Sequence, residues 1–352
     1  MQHYTFPYTE AFHCTAGDCP DSCCKGWEIV IDPKTLQTYQ QTCSPIGETI
    51  RSTLTKNEDD EWMFQNREDG NCPFWNAEKL CDLQIQAGER LLCDTCRQFP
   101  RIPQDYTLFT EHVLSLACPE AARLVLTQTE PFQAIPLTQD EPFEPINEAE
   151  LPYSLNWMNC LLETRAVLLQ LFQETSIPLA EALCYGLHYV QQFQDWIEEK
   201  TDDFPELQPI PSKPVFLHHE SVQHLYDTLE WMTPEWADWM QQIQQHPVTD
   251  ADLQAFIKIA EPWIPAFRNF CSYYLYLYWL QALNTGNALI QYQKLLTALH
   301  EIAIVSAWKL RETHTYTLTD CMIIVQRYAK EVMHDAENIE KIEDILHNLG
   351  SL

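Results

Sequence analysis

Cys14, Cys19, Cys23, Cys24 and Cys43, followed by Cys72, Cys81, Cys93, Cys96 and Cys118, place ten of the chain's fourteen cysteines within its first 118 residues. The gaps are short and repeated. Cys14-x4-Cys19-x3-Cys23-Cys24 comes first, then Cys72-Pro73-Phe74-Trp75, Leu80-Cys81-Asp82-Leu83 and Cys93-x2-Cys96-Arg97. Gaps of three or four residues let a loop fold its sulfurs back onto one centre, and Gly17 and Pro20 favour such turning. Thiolates gathered this way form a soft-ligand pocket suited to a metal. A single CxxC is weak evidence, but beside three further cysteine blocks it becomes strong. The adjacent pair Cys23-Cys24 rarely gives two ligands to one ion, because neighbouring side chains diverge. One of the two is then structural or serves a second metal.

Other reactive-looking residues have plainer readings. Cys160, Cys184, Cys271 and Cys321 are scattered through helical patterns without mutual spacing and read as small core hydrophobes. Arg97 and Arg101 either offset the charge of a thiolate-bound cluster or make ordinary ion pairs. The aromatic run Phe267 to Trp279 resembles a methyllysine cage in composition, but its helical spacing favours a packed core. Trp231, Trp236 and Trp239 around Pro234 also read as core, and His218, His219 and His224 as surface or capping histidines. The acidic stretch from Glu331 to Asp344 reads as the solvated face of a helix.

Composition narrows the function class. The chain has 352 residues, enough for about two domains, and is 45% hydrophobic, as globular proteins are. Its net charge of −30 argues against nucleic acid, whose phosphates it would repel, and suits a basic or lysine-bearing partner. No apolar leader precedes a small-residue cleavage site, and the longest apolar stretch, around Tyr273 to Leu283, is too short to span a bilayer. The sequence therefore predicts a soluble cytoplasmic protein without a membrane partner, a compartment where thiols stay free or bind metal. With eight glycines, neither GxGxxG nor a P-loop occurs, which disfavours a Rossmann-type nucleotide site.

The elements that must position the thiols are of mixed type. Residues 1–126 form the predicted Cys-rich metal domain: a loop with the first four cysteines, a short apolar stretch Trp27 to Ile31, and Asp32-Pro33 opening a helix through Tyr39. A polar turn follows at Asn57 to Glu61. Ser115 to Leu124 reads as a strand or loop entering a helix with Pro119 in its first turn. Residues 127–152 are rich in proline and acid and read as a linker, and a second such stretch runs from Asp202 to Pro214. Residues 153–352 read as an all-α domain, with helices expected at Leu155–Glu174, Pro178–Lys200, His218–Trp231, Asp250–Ile259, Ala266–Asn284, Ala288–Thr313, Leu318–His334 and Ala336–Leu349. The expected fold class is mainly α: a small Cys-rich domain of mixed local structure, then a helical one.

The motifs F-x-C-x4-C-x3-CC-x2-W-x-I-x-ID (Phe12 to Asp32), CPF-x5-LC-x-L (Cys72 to Leu83), GE-x5-TCR-x-F-PR (Gly88 to Arg101) and SL-x-CPEAARL (Ser115 to Leu124) resemble the flagellin lysine N-methylase (FliB) family. The Cys-rich part is also similar to the broader YkgJ-like zinc- and iron-chelating proteins. The resemblance implies S-adenosylmethionine-dependent methylation of lysine side chains on flagellin, with a [4Fe–4S] cluster, or zinc as the alternative. It puts the family's cysteines on Cys14, Cys19, Cys23, Cys24, Cys72, Cys81, Cys96 and Cys118, with Cys43 and Cys93 outside the pattern. One cluster needs only four thiolates, so eight positions mean either two centres or a supporting role for half of them. No single residue stands out as catalytic base or as cofactor ligand. The CxxxCxxC spacing of radical enzymes is absent, which points to direct polar methyl transfer. Two other classes remain: a non-catalytic YkgJ-like module that binds zinc or iron and docks a partner, and a redox protein carrying electrons.

Overall fold

The computed structural model describes residues 2–137, 151–208 and 228–349. In chain order the first part contains β1 (Gln2–Thr5), α1 (Pro33–Gln41), α2 (Pro45–Ser52), β2 (Leu54–Lys56), β3 (Trp62–Phe64), α3 (Asp82–Ala87), α4 (Asp94–Gln98), β4 (Arg101–Asp105), β5 (Phe109–Leu114), α5 (Pro119–Leu126) and β6 (Ile135–Pro136). The second part is helical: α6 (Leu155–Gln173), α7 (Leu179–Ile197), α8 (Pro234–Gln245), α9 (Asp250–Ala260), α10 (Ile264–Tyr278), α11 (Ala288–Thr313), α12 (Leu318–Tyr328) and α13 (Ala336–Leu349). The expected class, mainly α with a small mixed lobe first, is the one observed.

Local chemistry explains most boundaries. Asp32 caps α1 by accepting the Thr35 amide at 2.8 Å, with Pro33 at the first helical position, where its missing N–H costs nothing. Thr249 with Asp252, and Thr317 with Asp320, form reciprocal capping boxes at α9 and α12. Asn287 caps α11, whose observed span Ala288–Thr313 is the expected one, and α13 likewise begins at Ala336 and ends at Leu349. Asn57 to Glu61 turns the β2–β3 hairpin, with Asn57 Oδ1 accepting the amides of Asp59 and Glu61.

Two helix expectations need correction, and one helix was not expected. The segment 266–284 is not one helix: α10 ends at Tyr278, a 3₁₀ turn covers Trp279–Gln281, and a last turn, Ala282–Thr285, stops at Gly286 with φ of 64°. The segment 318–334 passes from α12 into a π-turn at Ala329–Met333. Residues 234–245, for which no helix was expected, form α8, because Thr233 caps it and proline occupies its first turn. The helix expected at His218–Trp231, and the three histidines on it, fall largely outside the described residues.

Two buried clusters organise the chain. A small one collects Ile29, Ile31, Tyr39, Ile50, Phe64, Phe74, Leu83, Leu91 and Leu92 together with Cys72 and Cys93. A large one unites the helices of the second part with Phe6, Tyr8, Phe12, β5, α5 and Phe132. The sheet β4-β5-β1-β6 belongs to the latter. In it β1 runs parallel to β5 and antiparallel to β6, with Thr5 opposite Ile135. The segment read as a linker therefore begins as a strap, with Phe132 packed against Phe6, Tyr8 and Tyr276. Residues 138–150 lie outside the described ones.

Helix α10 is buried on every face, as a helix hydrophobic all round must be, so its aromatic run is core and not a cage. Trp236 is buried as well, in a chain of rings through Trp239 to Trp308. Cys271 and Cys321 have no exposed surface, and Cys160 and Cys184 are half-buried. Sheet and helices are joined by a fork-to-fork pair. Arg165 on α6 donates to both carboxylate oxygens of Glu111 on β5, at 2.9 and 2.6 Å, with its guanidinium 4.5 Å from the Tyr276 ring centroid.

Candidate functional site

The thiols are brought together by zipping the first cysteine loop onto the second block. Gly26 N–H donates to Gly70 O at 3.0 Å, Lys25 bridges Asn71, and Cys72 N–H donates to Cys24 O at 2.8 Å. Trp75 bridges Cys81, the Asp82 amide donates to Phe74 O at 2.8 Å, and the Asn76 side chain accepts the amides of Glu78 and Leu80 and donates to Asp82. Asp32 spans the two blocks: one oxygen caps α1 and the other accepts the Asp94 amide at 3.0 Å, which fixes the start of α4 and so places Cys96. Tyr39 Oη donates to Leu91 O at 2.7 Å beneath them.

Three cysteines, Cys81, Cys93 and Cys118, sit at the N-cap positions of α3, α4 and α5. Backbone amides at a helix start favour a thiolate over a thiol. Burial opposes them, and at Cys81 and Cys118 burial dominates, raising Cys81 and pushing Cys118 up to about 11. The other thiols act on one another. Cys23, Cys24 and Cys72 hydrogen-bond in series. The bond from Cys24 holds the Cys72 thiol below its ordinary range. Cys24 itself is lowered by Cys23 but raised more by Cys72 and burial, to about 12. Cys93 and Cys96 form a second pair, in which the bond from Cys96 lowers Cys93 and Cys96 is raised.

The neighbourhoods gather eight thiols, Cys93 joining seven of the predicted ligands, into two groups that meet at Cys23. Cys24, Cys72, Cys81, Cys93 and Cys96 form one, since Cys24 and Cys72 act on Cys96, and Cys81 acts on Cys24 and Cys72. Cys19 and Cys118 form the other with Cys23, which also bonds Cys24 and acts on Cys81 and so links the two. Cys14 is exposed and accepts the Ala16 amide at 3.4 Å. Cys43 is exposed and donates to Gln41 O at 3.6 Å. Among the described residues no three His, Cys, Asp or Glu side chains converge on a common metal position, so the thiols are neighbours and not a formed cage.

Sequence reasoning left out Cys93, which is fully buried and paired with Cys96; the C-x2-C spacing was its signal. It also missed the cations. Arg97 is occupied by Asp94 and Leu92 O at 2.5 Å each, and Arg101 lies 5.3 Å from the Phe12 ring centroid. The charges that lower thiols are Arg67, at Cys72, and Lys330, at Cys23.

Lys330 belongs to the π-turn after α12, an irregularity that often marks a functional region. Its ammonium pairs with Asp21, between Cys19 and Cys23, at 3.1 Å. Gln326 donates both to Asp21 at 2.9 Å and to Ala117 O at 2.9 Å, beside Cys118. Glu331 accepts the Met232 and Thr233 amides, Tyr278 Oη donates to Met333 O at 2.5 Å, and His334 bonds Ser115 Oγ at 2.7 Å. One helical turn thus holds the thiol loop, the start of α8 and the β5–α5 corner.

Comparison with known proteins places the helical part in a known family. The profile of the FliB lysine N-methylase C-terminal domain matches residues 165–352. The flagellar biosynthetic protein FliU of Salmonella muenchen is 33% identical over 124 residues, which is 34% of this chain and 73% of that protein. The lysine-N-methylase of Salmonella typhimurium (strain LT2) is 32% identical over 128 residues, 35% of this chain and 32% of that enzyme. That of Salmonella choleraesuis (strain SC-B67) is 33% identical over 124 residues, 34% of this chain and 31% of that enzyme. The match thus spans about a third of either lysine-N-methylase. No solved structure matches.

Proposed function

The chain belongs to the FliB lysine N-methylase family, and from that premise we propose that it transfers methyl groups from S-adenosylmethionine to lysine side chains of flagellin, in the cytoplasm. The observation that carries the reading is the family match across the helical part, residues 165–352, in a chain whose first part gathers eight thiols. The lysine-N-methylase relatives supply the reaction and the flagellar relative its setting. Among the described residues no helix is long and apolar enough to cross a membrane.

Methyl transfer of this type is a displacement. A neutral lysine amine attacks the sulfonium methyl carbon, the carbon–sulfur bond breaks, S-adenosylhomocysteine leaves, and the amine's proton passes to solvent or a base. The protein's contribution is to lower the amine's proton affinity and align the two partners. Carboxylates attract the charged lysine to the surface, and a chain carrying 51 acidic against 21 basic residues has many.

The donor set fits an iron–sulfur cluster in its chemistry: soft, partly buried thiols with helix-start amides aimed at three of them. Cys24, Cys72, Cys93 and Cys96 would hold it, with Cys81 alongside, and Cys19, Cys23 and Cys118 would support it or hold a second metal. When bound, a [4Fe–4S] cluster would supply a rigid anchor for these loops. Lys330, Arg67 and the helix-start amides would offset its negative charge.

Co-expression with flagellin, followed by mass spectrometry, tests the reaction. The expected result is lysines heavier by one or more methyl groups only when the metal-replete enzyme is present; unmodified flagellin would overturn the reading. Visible absorption that bleaches on reduction distinguishes iron–sulfur from colourless zinc.

A further inference from the structure

Trp157 on α6 and Trp196 near the end of α7 flank Phe193, with ring centroids 5.8 and 5.9 Å away and planes within 21° and 10°. Phe193 stacks in turn on the buried Trp279 at 6.4 Å, whose indole N–H donates to Leu161 O at 2.8 Å, and Phe204 meets Trp196 edge-on at 5.0 Å. The stack is therefore anchored in the core. Its two outer indoles are half-buried and face a surface groove of about 670 Å³, completed by Ile197, Glu199, Thr201 and Asp202. The nearby cation, Lys200, is held by Asp195 at 3.2 Å and Glu198 at 2.6 Å, and no ion pair among the described residues involves Glu199 or Asp202.

A groove of this size lies in the range of small-molecule sites, and it is much larger than one ammonium on an alkyl stem requires. Its features complement three parts of one molecule. A rigid indole face stacks a planar base. A carboxylate accepts hydrogen bonds from a ribose diol. A second carboxylate beside tryptophan attracts an organic cation. We propose that this groove binds the adenosyl sulfonium methyl donor, with the adenine on Trp157 or Trp196 and the ribose and sulfonium on Glu199 and Asp202. The assignment rests on the methyl-transfer reading above.

The test is titration of the full metal-replete chain with S-adenosylmethionine, followed by calorimetry and tryptophan fluorescence. Four proteins are compared: the native sequence, Trp196→Ala, Trp196→Phe and the double variant Glu199→Gln/Asp202→Asn. The double variant changes only exposed carboxylates and keeps the fold testable should Trp196→Ala unfold. The native chain is expected to bind with quenched fluorescence. The double variant should weaken S-adenosylmethionine about tenfold but S-adenosylhomocysteine, which lacks the sulfonium charge, less, and Trp196→Phe should bind better than Trp196→Ala. A native chain that binds donor with all variants unchanged would overturn the groove and leave the reaction standing. A native chain that binds no donor would overturn the methyl-transfer reading and the groove with it. If the variants weaken a lysine-bearing flagellin peptide but not the donor, the groove belongs to the protein substrate and the proposal fails.

Discussion

The ammonium of Lys330 lies 3.1 and 3.2 Å from the two carboxylate oxygens of Asp21, so a buried turn of the helical part holds the loop that carries Cys19 and Cys23. Lys330 keeps only 3% of its side chain exposed, whereas Asp21 keeps 22%. Removing one partner of a buried pair costs about 3–5 kcal/mol, because the other charge is stranded without compensation. Asp21's partial access to water reduces that to about 2 kcal/mol for Lys330→Met. Asp21→Asn alone leaves the buried ammonium unpaired and should be at least as damaging. The double variant should be more stable than the sum of the two losses, the mark of a direct coupling, and denaturant melts of the four proteins measure it. Iron or zinc bound per chain should fall in both single variants if the pair positions the thiol loop. Unchanged metal content with lowered stability would confine the pair to a structural role.

A second contact sets how closely two helices approach. Gly186 on α7 leaves the space in which a Cβ would stand 2.1 Å from Tyr292 Oη and 2.7 Å from its Cζ. The ring cannot swing away easily, since Tyr292 is fully buried on α11 and donates to Leu183 O at 3.0 Å. Gly186→Ala gains up to about 1 kcal/mol of helix propensity but overpacks the interface, and the net expectation is a loss of about 2 kcal/mol. A lowered denaturant midpoint at constant slope would show it. Combining the change with Tyr292→Leu should recover part of the loss, because the clashing atoms are gone.

Buried titratable groups give two opposed pH dependences. Burial lowers His334 to about 4, so the folded chain holds it neutral beside Ser115. Its contribution is present above the unfolded-state value of about 6.5 and is lost as pH falls towards 4, about 3 kcal/mol in all. Burial raises Glu301 to about 8, with one carboxylate oxygen lacking a partner. Here the contribution is complete below the unfolded-state value of about 4.5 and is lost as pH rises through 8, on the order of 5 kcal/mol. The two slopes oppose each other between these limits, so variants are needed to separate them. Relative to the native chain, His334→Asn should hold its stability better on going from pH 7 to pH 5, and Glu301→Gln should do so from pH 5 to pH 8. Urea titrations at the three values test both. Parallel curves for native and variant would mean that neither group changes charge on unfolding.

Much of this architecture can be read from residue pattern. The span of α11 follows from Asn287 as cap and a sustained three-to-four apolar step, and α1 from Asp32-Pro33. The start of α8 went unread, although Thr233-Pro234, a capping threonine followed by a first-turn proline, is a start signal. The π-turn at Ala329–Met333 has no periodic signature, since it arises from tertiary demands on Lys330, Glu331 and His334. Spacing also showed that thiols would gather, but not which would meet. Cys24 reaches Cys72 through a pairing of distant loops, and Cys93 joins Cys96 although it stood outside the family pattern.

That partition of thiols leads to a sharp substitution experiment. If the metal is held by the set around Cys24, Cys72, Cys93 and Cys96, single changes to serine at Cys24 or Cys72 should remove most of the visible absorption and most of the bound iron. Serine keeps the size but not the soft ligand. Cys43→Ser should leave both intact, because Cys43 is exposed and its thiol donates to Gln41 O. Cys118→Ser decides between one centre and two. With one centre, iron per chain stays near the native value. With a second metal on Cys19, Cys23 and Cys118, iron or zinc falls by the share of that site while the first site's absorption remains. Should Cys43→Ser be as damaging as Cys72→Ser, the neighbourhoods seen here would not be the ones that bind metal.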